Sequence, residues 1–336
     1  MEGNNIQIAA KDTGNILLKI EDLHVIFETY HGTVHALSGI SLDLINRKIT
    51  GLVGETGCGK SVTAKAITRL ITKPGKIVSG RILLDHQDLL QLPEAEMQNI
   101  RGGIISMIFQ NPRAALNPVF TVEDQIHFIL ERHQNYKRSR SRERILDLLT
   151  EVGIADPKRR MKNYPFELST GMCQRVMIAM ALSCQPKLLI ADEPTTGIDV
   201  TIQAQILELF ANLVYEHGAT AMLITHDLGV VAETCDFTAV MYAGKIVEIG
   251  TTDNIFQQPL HPYAKGLVKS SFSGEEIDEL HYIPGTVPDL IHMEPGCSFA
   301  PRCSRKIDIC RKENPDMAEL SRGHRVRCFV TNRNTR

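Results

Sequence analysis

No apolar run in this 336-residue sequence approaches the roughly 18 residues needed to span a bilayer. The longest, VMIAMALSC at 176–184, is about half that and ends in QPK. The opening MEGNNIQIAAKDTGN lacks a charged-then-apolar leader pattern, so the chain is expected to stay in the cytosol, with residues 1–15 disordered. Charge of one sign is also missing. A formal net charge of −2 and a pI near 6.6 give no general reason to bind nucleic acid or anionic lipid. Internal repeats and low-complexity tracts are absent. Cysteine is scarce except at one place: Cys297, Cys303, Cys310 and Cys328 put half of the eight thiols near the end. In a reducing compartment such a cluster points to metal or catalysis rather than to disulfides.

What is present alternates between strand and helix. ILLKIEDLHVIFET and VHALSGISLDLI carry apolar residues at period two and predict an early antiparallel pair. KITGLVG reads as a short buried strand running into a glycine-rich turn, and RERILDLLTEVGI sets Ile145, Leu148, Leu149 and Val152 at helical spacing. KLLIADE, ATAMLITHD, FTAVMYAG and KIVEIG add four apolar strands. The alternation predicts an α/β fold with a mainly parallel sheet covered on both faces. Residues 112–180 are richer in helix and read as an insertion between two halves of the sheet, over a main domain of 16–270. The basic run NYKRSRSRER within it reads as a solvated helix face, not a nucleic-acid surface. Residues 271–336, rich in Pro, Gly, Cys and charge, are expected to form a separate cysteine-rich appendage.

GETGCGKS, Gly54 to Ser61, fits G-x-x-x-x-G-K-[ST] between a strand and the helical run SVTAKAITRLI. In that context the backbone N–H groups of Gly57, Gly59 and Lys60 cradle phosphate at a helix N-terminus, Lys60 reaches the β- and γ-phosphates, and Ser61 meets Mg²⁺. KLLIADEP supplies the complement: Asp192 at the end of an apolar strand beside the Mg²⁺, and Glu193 placed to polarise a water. Gln110 follows the strand IISMIF, Asp199 lies in TTGID, and His226 ends the strand LITHD at the same sheet edge. LSTGMCQR, Leu168 to Arg175, precedes another helix.

Together these motifs resemble the nucleotide-binding subunits of ABC transporters over roughly residues 16–330. The resemblance implies an ABC-type P-loop fold with an antiparallel β subdomain, hydrolysing ATP with Mg²⁺. It implies that Tyr30 stacks on adenine and that Gly54, Glu55, Thr56, Gly57, Cys58, Gly59, Lys60 and Ser61 form the Walker A loop. Gln110 then links γ-phosphate and Mg²⁺ to the membrane partner, and Asp192 is the Walker B aspartate. Glu193 is the catalytic base, Asp199 the D-loop aspartate and His226 the switch histidine. Leu168 to Gln174, with Ser169, Thr170, Gly171 and Met172 at its centre, is the signature that serves ATP across a head-to-tail dimer. Thr170 stands where the family has glycine. A β-branched residue suits a positive φ poorly, so a heterodimer with a second ATPase that supplies a better signature is expected. Cys58 is either a small turn residue or a thiol made reactive by the helix N-terminus.

The tail PLHPYAKGLVKS, IPGTVPDL and GCSFAPRC resembles the peptide/nickel importer branch. That implies two membrane permeases, an extracytoplasmic solute-binding protein, a peripheral place on the cytoplasmic membrane face, and peptides ahead of nickel as cargo. The spacing C-x5-C-x6-C-x17-C lacks the short pairs of zinc fingers. Four thiolates suit a 4Fe–4S cluster, which that branch is associated with, or Zn²⁺ as the lesser alternative. A soluble ABC-type ATPase outside transport is the rival reading.

Overall fold

The computed structural model describes residues 15–271 and 282–333; the expectation of a disordered N-terminus falls, apart from Asn15, outside the described residues. The alternating pattern of the first fifty residues forms the long antiparallel pair β1 (Ile16–Thr29) and β2 (Gly32–Ile45). The central strand β3 (Ile49–Val53) follows. β4 (Gly75–Leu84) and β5 (Gln87–Asp88) complete a four-stranded sheet in the order β2-β1-β4-β5.

A second, eight-stranded sheet carries the chemistry. Its members are β3, β6 (Ile105–Ile108), β7 (Leu188–Asp192), β8 (Thr220–Ile224), β9 (Phe237–Tyr242), β10 (Lys245–Thr251), β11 (Ala318–Ser321) and β12 (His324–Val326). They run β11-β12-β10-β9-β3-β8-β7-β6. β6, β7, β8, β3 and β9 are parallel. Every residue of β3, β7 and β8 is buried, as expected where helices cover both faces of a parallel sheet. β8, β7 and β6 lie on one side of β3 and β9 on the other, so the turn leaving β3 emerges at a switch point of the sheet. That is where α/β proteins bind ligands.

Helices follow the expected alternation: α1 (Lys60–Ile67), α2 (Glu94–Ile100), α3 (Pro112–Ala115), α4 (Val122–Gln134), α5 (Arg138–Glu151), α6 (Pro157–Arg160), α7 (Thr170–Leu182), α8 (Val200–Glu216), α9 (Leu228–Thr234), α10 (Thr252–Gln257), α11 (Pro262–Ser271) and α12 (Phe329–Arg333). α3 to α7 form the helical insertion. Ile145, Leu148 and Leu149 are the buried stripe of α5, as their spacing requires. α4 starts at a capping box, Thr121 accepting from the Asp124 N–H while the Asp124 carboxylate accepts from Thr121. Each fully buried Leu or Ile in these stripes contributes about 1.5–3 kcal/mol.

The C-terminal segment departs from expectation. It is not a separate appendage: β12 pairs antiparallel with β10, Glu248 opposite Val326 and Ile249 opposite Arg325, so the tail extends the main sheet. Phe299 packs into the core with ring centroids 5.2 Å from Tyr242, 5.5 Å from Tyr263 and 5.6 Å from His261. Glu248, fully buried, ties the join together. Its carboxylate accepts from the N–H of Leu260 at 2.8 Å and of His261 at 2.6 Å, and from Nε2 of His324 at 2.8 Å. A buried carboxylate is tolerable only when its lone pairs are satisfied in this way.

Candidate active site

The loop between β3 and α1 takes its shape from its glycines. A Cβ at Gly54 (φ +154) would fall 2.1 Å from the Met241 carbonyl oxygen, and one at Gly59 (φ +109) would fall 2.7 Å from that of Ala36, so neither position accepts a side chain. Thr56 and Gly57 form the exposed crest, and Cys58, Gly59 and Lys60 are buried beneath it. The Lys60 ammonium sits at the loop's centre, donating to the carbonyls of Gly54 at 2.7 Å and Glu55 at 3.1 Å. α1 begins at Gly59 without a side-chain cap, leaving its first N–H groups directed into the loop.

At the adjacent strand end the Ser61 hydroxyl donates to Asp192 Oδ1 at 2.9 Å. Burial pushes the Asp192 carboxyl above the ordinary aspartate value, opposed by the Ser61 hydrogen bond. A divalent cation there would favour the charged form. Three further residues converge one position on. Glu193, at φ +47, accepts from Gln110 Nε2 at 2.8 Å and from the Thr196 hydroxyl at 2.9 Å. His226 Nδ1 lies 3.5 Å from its other oxygen. Residues separated by up to 116 positions in the chain (110 to 226) thus share one sheet edge. Asp199 Oδ1 accepts from the Ile202 N–H at the start of α8, and Tyr30 stands fully exposed at the β1–β2 turn.

The signature segment lies on the helical insertion, with α7 packed against α3, α4, α5 and α8. Ser169 is the N-cap of α7, its Oγ accepting from the Met172 N–H at 3.2 Å. Thr170 is the first helical residue, and neither it nor Gly171 has a positive φ. The conformational handicap expected of threonine here therefore does not arise. Gly171 and Met172 are half-buried, with Met172 against the core.

Cys58 is buried, and burial pushes its thiol pKa up, against the opposing pull of Lys60. Both observations favour the small turn residue over the reactive thiol. Cys297, Cys303, Cys310 and Cys328 line one small cavity of about 10 Å³ with His261, Phe299 and Phe329. Burial raises the Cys297 and Cys303 thiols. Among the described residues no three of His, Cys, Asp and Glu gather as a metal-binding group.

Three contributors were missed from the sequence. Thr196 orients Glu193, Tyr263 Oη accepts the Glu55 N–H at 2.9 Å, and Arg302 grips the Glu55 carboxylate. Thr196, three residues from Glu193, was within reach of a local reading. The other two act across more than 200 positions and leave no local signal.

The ABC transporter family profile matches residues 37–196, and the oligopeptide/dipeptide transporter C-terminal region matches residues 247–310. The dipeptide transport ATP-binding protein DppD of Bacillus subtilis is 49% identical over 319 residues, 94% of each chain. The oligopeptide transport ATP-binding protein OppD of the same organism is 48% identical, over 94% of this chain and 88% of its own. This chain belongs to the ATP-binding subunits of oligopeptide and dipeptide ABC transporters. Among solved structures, the dimeric bacterial ABC transporter cassette MJ0796 superposes on this ABC subunit with TM-score 0.62 and 25% identity, over 70% of this chain and 98% of that one. No helix of this ABC subunit, among the described residues, is long and apolar enough to cross a membrane.

Proposed function

We propose that the ABC subunit hydrolyses ATP to energise peptide uptake, through the residues gathered at the C-terminal edge of the main sheet. The observation that carries this is the pairing of two adjacent constellations, Ser61–Asp192 and Gln110–Glu193–His226. ATP lies with its β- and γ-phosphates in the loop Gly54 to Ser61, balanced by Lys60, and with adenine on Tyr30. Ser61, with Asp192 and Gln110 alongside, would hold Mg²⁺, which would offset the phosphate charge. Glu193 takes a proton from the attacking water. The Gln110 and Thr196 hydrogen bonds fix its carboxylate, and His226 stands over the γ-phosphate. Glu193→Gln removes the base while keeping one acceptor oxygen, so turnover should fall roughly 100- to 10,000-fold with ATP still bound. Undiminished hydrolysis would overturn the assignment.

The signature, Ser169 to Met172, serves a second cassette, and Asp199 lies beside that interface. The preferred partner is a non-identical ATPase, although the position of Thr170 at the start of α7 removes the steric reason for demanding one. Two permeases and an extracytoplasmic binding protein complete an importer with this subunit peripheral on the cytoplasmic face. Cargo is oligopeptide or dipeptide, with nickel as the lesser alternative.

The four tail cysteines are proposed to hold a 4Fe–4S cluster. Tetrahedral zinc at ~2.3 Å from each sulfur would draw four thiolates tightly together. The reading rests on the four thiols lining one common cavity and on the wide spacing C-x5-C-x6-C-x17-C, which lacks the short pairs of zinc sites; the cavity as it stands is too small to hold a cubane. Such a cluster supplies one-electron chemistry or a structural crosslink when bound. Lys245 and Arg327 near Cys297, and Arg305 near Cys303, offset its thiolate charge.

A further inference from the structure

Arg302 belongs to the tail, yet its side chain is only 6% exposed and all of its donor nitrogens are engaged. Nη1 and Nη2 form a fork on the Glu55 carboxylate at 2.7 and 3.0 Å. Nε donates to the Pro284 carbonyl at 2.9 Å, Nη2 to that of Ile283 at 3.1 Å and Nη1 to Tyr242 Oη at 3.4 Å. Glu55 is the second residue of the phosphate loop. Its carbonyl accepts from Lys60, and its N–H is taken by Tyr263. The glutamate therefore turns away from the crest of the loop, and each of its polar groups is fixed by another residue.

Arg302 is carried by the tight turn 297–303, closed by the bonds Ala300 N–H to Cys297, Arg302 N–H to Phe299 and Cys303 N–H to Ala300. A two-pronged, charge-assisted, buried contact of this kind fixes geometry as well as contributing energy. We propose that Arg302 is a positioning residue for ATP: the tail, through the Arg302–Glu55 fork, sets the shape of the phosphate loop and hence nucleotide affinity. The proposal rests on the phosphate loop being the ATP site.

The test compares full-length wild type with Arg302→Lys, Arg302→Ala, Glu55→Gln and the Glu55→Gln/Arg302→Ala pair. Readouts are the Kd of a fluorescent ATP analogue with Mg²⁺, the ATP KM and kcat, and the urea midpoint. Lysine keeps the charge and loses the fork, and glutamine keeps the shape and loses the charge. Each single variant should weaken nucleotide binding by roughly tenfold, with KM rising more than kcat falls, and the pair should bind no worse than Arg302→Ala alone. A Kd within twofold of wild type in Arg302→Lys and Glu55→Gln, with only the urea midpoint lowered, would overturn the proposal and make the fork a structural staple. If Arg302→Ala fails to fold, those two variants decide alone. A wild type that does not bind the analogue would instead sink the ATP-site reading itself.

Discussion

Replacing Glu248 by glutamine removes one charge at the join between tail and cassette and leaves the shape almost unchanged. One carboxylate oxygen accepts from the Leu260 N–H and His324 Nε2, the other from the His261 N–H. Glutamine keeps a single acceptor oxygen. If its NH₂ faces His261, one backbone N–H loses its partner. If it faces the other way, His324 can change tautomer and accept, but the Leu260 N–H is stranded. At least one buried donor is orphaned either way, at about 1–3 kcal/mol. Weakening the remaining bonds from charged to neutral adds about 1 kcal/mol. Glu248→Gln should therefore lower the unfolding free energy by about 2–4 kcal/mol, read as a lower urea midpoint with an unchanged slope. Amide exchange at 258–263 should accelerate most, because that segment loses its anchor. Because it also carries Tyr263, whose hydroxyl holds the Glu55 N–H, ATP affinity should weaken in step. A stability change under about 0.5 kcal/mol, within the range of ordinary surface substitutions, would refute the reasoning.

Three other outcomes are expected. Cys58 in the folded protein should label slowly with a maleimide, because it is buried beneath the loop crest and burial raises its thiol pKa; fast labelling at pH 8 would contradict its burial. The Thr121 hydroxyl, followed by Arg138, holds the Asp124 carboxyl below its ordinary 3.8. Its stabilisation is then complete above that value and lost as pH falls beneath it. Asp124→Asn should cost about 1 kcal/mol at pH 7 and nothing at pH values low enough to protonate the wild-type carboxyl, as followed by chemical denaturation. Protein purified without oxygen should be brown, absorb near ~400 nm and contain iron if the tail cysteines hold the cluster; colourless protein with one zinc per chain would assign the site to zinc.

The candidate site was legible because its signals are local. A strand, a glycine turn and a helix lie within residues 49–67, and Asp192 and His226 each end an apolar run. The glycines are required by close backbone approach, which sequence spacing already implies. Thr170 was misjudged because glycine in the family motif suggested a positive φ, whereas Ser169 caps an ordinary helix start. Cys58 was left open because burial is a tertiary property that a loop motif does not carry. The tail was read as an appendage because β11 and β12 have only four and three residues, too short for periodicity to register. The pairing of β12 to β10 spans 78 positions, from Glu248 to Val326. Arg302 and Tyr263 reach the phosphate loop from the far end of the sequence, through contacts that only the fold creates.

The pairing of β12 with β10 also governs how this chain can be handled. β10 is a strand whose five central residues are buried. Without the tail its hydrogen-bonding groups and the apolar residues around them would form an open sheet edge, a ready template for joining another chain. With the tail in place that edge is covered and the rim passes to β11, four residues long, alternating exposed and half-buried and bearing Glu319. Short, charged rims resist edge-to-edge growth. Trimming away the tail would therefore yield a self-associating fragment.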